Sequence, residues 1–355
     1  MMMRVKQIVM LSVLGVACTV LFVSFRATNT TNEIPQISDE GKVQLEKLVS
    51  KSIKFSKDVP EPNAKSKANT NVIIEDDNHI LAVAKRISSR YRTVLVTMVN
   101  DAYLSFTYSW LCNTKNMDIH KSVLIITTDK VSKDNLTRDW PEISVVSMDW
   151  STSHGDQTYS QVGYVKIMVK RTEMLLSMLM ADIEIFLFEV DCLWLANPIP
   201  EFQKIEGYDI LVNPVAGTGE KVYAGGFLYL FKTDKAKKLW KKVTEDMIAL
   251  GEKISSKSDK TAVSEADNDQ QYLSRLLNQK YADIKMKLLP LDVYADGQWY
   301  KLPEDKRNQS HPIVINNNWV VGNKAKIERA KKWKHWFIHD DLTCDMDLVK
   351  KVVYK

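Results

Sequence analysis

Runs of apolar residues along the chain follow two different periods. Four short runs are apolar and β-branched without polar alternation, which is typical of strands buried on both faces of a parallel sheet. These runs are residues 93–99, 122–128, 143–148 and 182–188. Elsewhere apolar residues recur every three or four positions, most regularly from Tyr164 to Met180, and this period indicates helices. Strands that alternate with helices predict an α/β domain with a mostly parallel sheet and right-handed crossovers.

An uncharged apolar run lies near the N-terminus. Residues 8–25 contain no charge, and a helix of that length covers about 27 Å, close to the thickness of the bilayer hydrocarbon. Arg4 and Lys6 precede the run and only Arg26 follows it, which predicts that the segment before the run, 1–7, is a cytoplasmic tail. A cleavable signal peptide is the alternative, but its apolar region is usually about 7–15 residues. We therefore expect an uncleaved signal anchor that spans the membrane once.

The anchor divides the rest of the chain into three further parts. Residues 26–78 are rich in Thr, Asn, Ser and Lys and are predicted to form a stem. A folded lumenal domain is expected at 79–345 and a C-terminal tail at 346–355. Anchor, stem and folded domain in this order are typical of Golgi-resident type II enzymes. Tethered receptors and shed ligands share the layout, so it indicates a location and not a chemistry.

Composition and charge exclude several classes of protein. The 355 residues are 45% hydrophobic and 26% charged, which is ordinary for a globular protein and excludes collagen, low-complexity disorder and a multi-span membrane protein. The net charge of +5 is spread over a long chain, so we expect no nucleic-acid partner. The composition favours no particular oligomeric state.

Lumenal placement gives meaning to sequons and cysteines. Of the sequons at Asn29, Asn135 and Asn308, the last two are the expected glycosylation sites, because Asn29 lies close to the membrane. Three cysteines outside the anchor would meet an oxidising compartment, and an odd number allows at most one disulfide, whose partners the sequence leaves open. They are Cys112, Cys192 and Cys344.

Polar side chains follow two of the predicted strands. Asn100 follows the first strand, and Glu189 and Asp191 follow the fourth. Ligands of open α/β sheets bind outside the carboxyl ends of the strands, and two carboxylates there suit a hard divalent cation beside a diphosphate. Two carboxylates with one residue between them are common in this chain, and only the position of this pair at a strand end distinguishes it. No glycine-rich dinucleotide or P-loop motif follows the first strand, which argues against a dehydrogenase or a P-loop nucleotidase.

Several further segments are informative as an ordered set. They are Phe188-Glu189-Val190-Asp191 with Trp194-Leu195-Ala196-Asn197-Pro198, Tyr223-Ala224-Gly225-Gly226-Phe227, Asn268-Asp269-Gln270, Tyr294-Ala295-Asp296-Gly297, and Asn316-Asn317-Asn318-Trp319 with Gly322 and Lys326. With the preceding lysine-bearing helix, residues 93–336 resemble the nucleotide-diphospho-sugar transferase family. The resemblance implies a GT-A fold, a UDP-sugar donor, Mn²⁺ or Mg²⁺, and transfer of a hexose or pentose with retention at the anomeric carbon.

The resemblance also implies roles for individual residues. Glu189, Asp191 and Asn316 would hold the metal, and the two carboxylates would lie at the diphosphate. Further donor-site residues would be Asn100 near the nucleotide, Lys170 on the donor, Gly225 and Gly226 at the sugar, and Gly322 and Lys326 at the β-phosphate. Asp269 and Gln270 would face the reacting sugar or the acceptor. Asp296, Gly297 and Trp299 are candidates for the acceptor site.

Some of these roles have alternatives. Lys166 and Arg171 compete with Lys170 for the donor, and Asp269 is equally suited to begin a helix. Core packing is as good an explanation of Trp299 as stacking on a sugar.

The sequence departs from the family pattern at two predicted metal ligands. Glu189 replaces the first aspartate, which lengthens the ligand arm by one methylene, and Asn316 replaces a histidine. An amide oxygen suits hard cations better than a nitrogen ligand does. Because both predicted ligands differ from the family pattern, we expect altered or weaker metal binding and not its loss.

These features favour a Golgi glycosyltransferase that moves a sugar from a UDP-sugar to a glycan or glycoprotein. A catalytically weak relative that binds nucleotide or glycan is one alternative, which the two departures favour. A membrane-tethered interaction protein that only keeps the fold is another.

Overall fold

The computed structural model describes residues 77–148, 155, 157–219 and 221–354. The predicted cytoplasmic tail, the anchor and nearly all of the stem lie outside these residues. Among the residues that are described, no helix is both long and apolar enough to cross a membrane.

Helices and strands alternate along the described chain. The α-helices are α1 (Asp77–Ser88), α2 (Leu104–Thr114), α3 (Lys130–Asp139), α4 (Val162–Met180), α5 (Ile199–Gln203), α6 (Asp234–Ile254), α7 (Asp269–Asn278), α8 (Glu304–Gln309), α9 (Asn323–Lys332) and α10 (Met346–Val353). The strands are β1 (Thr93–Val99), β2 (Val123–Thr127), β3 (Ser144–Ser147), β4 (Glu184–Leu187), β5 (Leu193–Trp194), β6 (Ile210–Pro214), β7 (Tyr223–Leu230), β8 (Met286–Leu288), β9 (Tyr294–Ala295) and β10 (Val314–Ile315). Short 3₁₀ turns cover Asp101–Tyr103, His120–Ser122, Tyr281–Asp283 and Gly297–Lys301.

Seven strands form the main sheet in the order β3-β2-β1-β4-β7-β6-β8. β1 pairs in parallel with both β2 and β4, whereas β7 is antiparallel to β4 and β6. Within these seven strands β7 alone runs against the others, so the prediction of a mostly parallel α/β sheet is confirmed. The chain fills one side of the sheet from β1 to β3 and then crosses to the other side at β4. The boundary between β1 and β4 is therefore the point at which the strand order reverses.

The sheet separates two hydrophobic cores. Successive side chains of a strand point to opposite faces, so Val94 and Val96 belong to one core and Leu95 and Val99 to the other. Both faces of β1 are buried, which explains why its sequence shows no polar alternation.

The C-terminal segment completes the second core. Residues predicted as a tail, 346–355, instead contain helix α10, whose Val349 is fully buried. The tail prediction is therefore corrected, because the valine and leucine residues of this helix pack one face against the second core. The helix has only eight residues, too few to show a clear helical period in the sequence. A disulfide between Cys112 of α2 and Cys344 ties the segment to the sheet domain, and Cys192 keeps a free, buried thiol.

Both expected glycosylation sites lie on helices. Asn308 is exposed on α8, whereas Asn135 on α3 is partly buried and its side-chain oxygen accepts a hydrogen bond from Arg138 at 3.1 Å.

Candidate active site

The candidate site lies where the strand order reverses. Asn100 follows β1, and Glu189 and Asp191 follow β4, so the carboxyl ends of two adjacent parallel strands bring the three together. Antiparallel β7 returns along β4 and places Gly226 against Glu189. This is the strand-end arrangement that the sequence predicts.

A continuous cleft opens at this edge of the sheet. An inner chamber of about 100 Å³ lies between β1, β4 and α4, and an outer chamber has a volume of about 520 Å³. The side chains shared by both chambers are Tyr103, Gln157, Tyr164, Glu189 and Lys326. The inner chamber also contains Asn100 and Asp191, and the outer one contains Gly225, Gly226, Gln270, Asn316 and Gly322. The cleft thus gathers most of the predicted donor-site residues.

Lys326 of α9 reaches into the cleft and pairs with Asp191. The two charged groups lie 2.7 Å apart, and the Asp191 side chain is 1% exposed. Burial by itself would lower the pKa of the Lys326 ammonium, but the negative charge of Asp191 leads the opposing effects, and the pKa is well above its ordinary value. Lys326 therefore carries a positive charge at the floor of the cleft at any physiological pH.

Glu189 lies in an electrostatically unfavourable position. Burial raises the pKa of its carboxyl group, and the neighbouring carboxylate of Asp191 raises it further. A cation beside the pair would lower that pKa. The longer glutamate arm is accommodated by Gly226, because a Cβ atom at that position would lie 2.2 Å from the Glu189 Oε1 atom.

Oxygen atoms in the cleft could hold a hard divalent cation. Asp191 Oδ1 and Asn316 Oδ1 are buried, and neither accepts a hydrogen bond from the residues that the structure describes. Both oxygen atoms are therefore available to a ligand that enters the cleft. These two oxygens and the Glu189 carboxylate line the joined chambers, and oxygen ligands suit Mg²⁺ or Mn²⁺. Within the described ranges, no group of three or more His, Cys, Asp or Glu side chains is placed to hold a metal ion.

The predicted donor contact of Lys170 is corrected by the structure. Its ammonium lies 2.7 Å from Asp77 on the outer side of α4 and does not reach the cleft. Arg171, the neighbouring alternative, is buried and lines the inner chamber. The signal was present in the helical period, because Arg171 lies three and four positions from the buried Met168 and Leu175.

Arg171 links two of the other predicted residues. Its Nη2 atom donates to the carboxylate of Asp269 and to the carbonyl oxygen of Gly225, the latter at 3.3 Å. Asp269 is the first residue of α7, and Asn268 before it caps that helix through the Gln271 N–H. Asp269 is thus held in a buried ion pair, whereas Gln270 lines the cleft and accepts from the Gly225 N–H at 3.2 Å.

Comparison with known proteins identifies the family of this chain. The nucleotide-diphospho-sugar transferase family model matches residues 118–330, which is more than half of the chain. The chain belongs to this family. Two curated relatives of this chain are informative. UDP-D-xylose:L-fucose alpha-1,3-D-xylosyltransferase 3 of Arabidopsis thaliana is 22% identical over 78% of this chain and 75% of its own. UDP-galactose:fucoside alpha-3-galactosyltransferase of Dictyostelium discoideum is 21% identical over 53% of this chain and 31% of its own.

Solved structures include two similar glycosyltransferases. GlyE of Streptococcus pneumoniae is 12% identical to the transferase with a TM-score of 0.43, over 73% of this chain and 62% of GlyE, so the chain spans less than two thirds of that protein. Mouse xyloside xylosyltransferase 1 is 10% identical with a TM-score of 0.39, over 64% of this chain and 98% of the mouse protein.

The acceptor residues that the sequence predicts for this chain do not line the cleft. Trp299 packs against Trp333 with ring centroids 5.7 Å apart, and its N–H donates to Ser310, so core packing explains it. Asp296 is buried. Gly297 donates its N–H to Asn318 Oδ1 at 2.6 Å.

The sequence analysis does not identify Trp319 as a residue of the candidate site. It lines the outer chamber, and its N–H donates to Asp296 at 2.7 Å. Its place in the Asn-Asn-Asn-Trp segment was the available signal. Gly322 lies nearby at the start of α9 with φ +86°, a conformation that favours glycine.

Proposed function

We propose that this protein transfers a sugar from a UDP-sugar to a glycan or glycoprotein acceptor. One observation carries the proposal: the Asp191–Lys326 pair lies beside Glu189 in a cleft at the reversal point of the sheet. Membership of the nucleotide-diphospho-sugar transferases supports the nucleotide-sugar donor, and the relatives that act on xylose and galactose support a pentose or hexose.

The proposed chemistry follows from the charge that develops on the leaving group. Cleavage of the bond between sugar and diphosphate leaves negative charge on the β-phosphate, and a fixed cation there stabilises the transition state more than the ground state. Lys326 supplies such a cation, and the α9 N-terminus at Gly322 adds backbone N–H groups.

A divalent metal would add to this stabilisation. Mn²⁺ or Mg²⁺ would be held by Glu189, Asp191 and Asn316, and would supply Lewis-acid neutralisation of the diphosphate. Asp191 keeps one oxygen on Lys326 and the other without a hydrogen-bond donor among the described residues, so both charges can share this carboxylate.

We propose retention of the anomeric configuration. Retention requires either a carboxylate nucleophile or attack from the side that the leaving phosphate occupies. Asp269 is the carboxylate that the sequence offers, but its oxygen is engaged by Arg171. We therefore favour attack guided by the leaving phosphate, with Gln270 at the reacting sugar.

The proposed location is the Golgi lumen, with one N-terminal helix as anchor. The Cys112–Cys344 disulfide supports an oxidising compartment, and the sequons agree with it. Glycan mapping of Asn135 and Asn308 in the secreted or membrane fraction tests this placement.

Turnover of a panel of UDP-sugars tests the activity. The full-length protein, purified in detergent with Mn²⁺, is expected to release UDP from at least one of UDP-xylose, UDP-galactose, UDP-glucose and UDP-arabinose. Asp191→Asn should abolish the release, whereas Asp347→Asn on the exposed face of α10 should leave it unchanged. No release from any UDP-sugar would contradict the proposal, and so would equal release by the Asp191→Asn variant.

A further inference from the structure

The outer chamber carries an unusual aromatic side chain at its surface. Trp319 lines this chamber and is 44% exposed. Tyr159, on the segment before α4, also lines it and is 40% exposed. Two exposed aromatic side chains therefore offer apolar surface to a ligand that enters this chamber.

The Trp319 indole is held in place through the carboxylate of Asp296. Its N–H donates to Asp296 Oδ2 at 2.7 Å, and the same oxygen accepts from the Ala216 N–H at 2.9 Å. Asp296 is buried, and its other oxygen accepts from Gln298 at 3.0 Å. Because the carboxylate is fixed by two backbone groups, it fixes the indole as well. Asp296 therefore acts as a positioning residue for Trp319.

The backbone at Trp319 is also in a costly conformation. Its φ angle is +62°, in the left-handed region that bulky residues rarely occupy. Such conformations persist where surrounding structure enforces them, and they concentrate at ligand sites. The N–H is already bonded to Asp296, and the Lys301 ammonium lies over the ring, 5.9 Å from its centroid. The part of the indole available to a ligand is therefore the ring face that Lys301 leaves uncovered.

The neighbouring side chains identify the chemistry of that ligand. Gln270 and Asn318 line the same chamber, and both are neutral amides that suit hydroxyl groups. A fixed aromatic face beside amides matches a neutral sugar ring, whose C–H face packs on the aromatic ring while its hydroxyls bond to the amides.

We propose that Trp319 is the stacking platform for a neutral pyranose of the acceptor, positioned by Asp296. This inference rests on the proposed function, because it places the acceptor in the chamber that Lys326 and Glu189 also line. It also replaces Trp299 as the aromatic residue of the acceptor site.

Saturation-transfer NMR tests the platform. The full-length protein with UDP and Mn²⁺ is mixed with the methyl glycosides of fucose, xylose, galactose and arabinose. We expect transfer to at least one glycoside. In Trp319→Ala that signal should fall about three- to tenfold, the size expected for a lost aromatic contact. Trp319→Phe keeps a ring but loses the N–H to Asp296, so its saturation-transfer signal should lie between those of the wild type and Trp319→Ala.

Two controls separate the possible outcomes. UDP affinity, measured by calorimetry on the same samples, reports on the fold and on the donor site. Tyr208→Ala removes a similarly exposed aromatic residue far from the cleft and should not change glycoside binding. UDP binding without binding of any glycoside would overturn the platform alone, as would equal glycoside binding by Trp319→Ala. Absence of UDP binding would instead contradict the proposed function.

Discussion

The Lys326 ammonium lies 2.7 Å from a carboxylate oxygen of Asp191, although the two residues are far apart in the sequence. Helix α9 brings the lysine to the carboxyl end of β4, where burial strengthens the attraction between the two charges. This pair connects the candidate site at the end of β4 to helix α9 in the C-terminal part of the domain.

Replacing the lysine should impair the reaction more than substrate binding. In Lys326→Met the leaving phosphate loses a fixed cation, so kcat is expected to fall about 10²- to 10³-fold. The unpaired Asp191 charge should also lower the thermal midpoint. Steady-state release of UDP from the UDP-sugar that is turned over measures the effect. Lys324→Met, on the same helix and exposed, is the matched control. An unchanged kcat in Lys326→Met would remove the lysine from the mechanism.

Adjacent residues of α4 should differ sharply in their effect on stability. Arg171→Met leaves the Asp269 carboxylate buried without its partner, and the free energy of unfolding should fall by about 3–5 kcal/mol. Lys170→Met removes a pair whose Asp77 partner is 59% exposed, so the change should be about 0–1 kcal/mol. Urea denaturation followed by fluorescence compares the two variants. Equal losses would show that Arg171 is not the buried member of this pair.

Local sequence patterns predict the sheet and the edge at which the candidate site lies, but not the contacts between distant segments. The apolar runs identified β1 and β4, and Asn100 and Glu189 follow them as expected. The resemblance favours Lys170 because it implies a lysine on this helix, whereas the helical period places Arg171 on the buried side with Met168 and Leu175. The pairing of Cys112 with Cys344 needed the fold, since three cysteines allow three pairings.

The acceptor residues show the same limit. Trp299 and Trp319 are both aromatic residues in matched segments, and the sequence does not distinguish the packed indole from the one that lines the cleft. Burial by Trp333 and the hydrogen bond to Asp296 separate them.

A side chain at Gly226 should displace the carboxylate of Glu189. A Cβ atom there would lie 2.2 Å from Glu189 Oε1, so Gly226→Ala must displace the carboxylate from the proposed metal site. At Gly225 the nearest contact would be 3.0 Å, to Gln270 Cβ, and Gly225→Ala should have a smaller effect. Titration of Mn²⁺ in the UDP-release assay should show a raised metal requirement, about 10- to 100-fold, in Gly226→Ala. A larger shift in Gly225→Ala would contradict this assignment.

Stability should decline in mild acid because of His335. Burial lowers its pKa from 6.5 to about 4, so between these pH values the unfolded chain binds a proton that the folded chain does not. Unfolding is then favoured as the pH falls, by about 3 kcal/mol over the whole interval. Denaturation of the wild type and of His335→Gln at pH 7 and pH 5 isolates this contribution, because other groups cancel in the difference. Identical pH slopes would exclude a buried neutral imidazole.

The cleft between β1 and β4 is proposed to bind a nucleoside diphosphate beside a divalent metal and Lys326. Titration calorimetry of the full-length protein with UDP, in Mn²⁺ and in excess chelator, tests it most directly. We predict binding that Mn²⁺ strengthens, and we predict that Asp191→Asn loses this strengthening. Absence of UDP binding in both conditions would contradict the account.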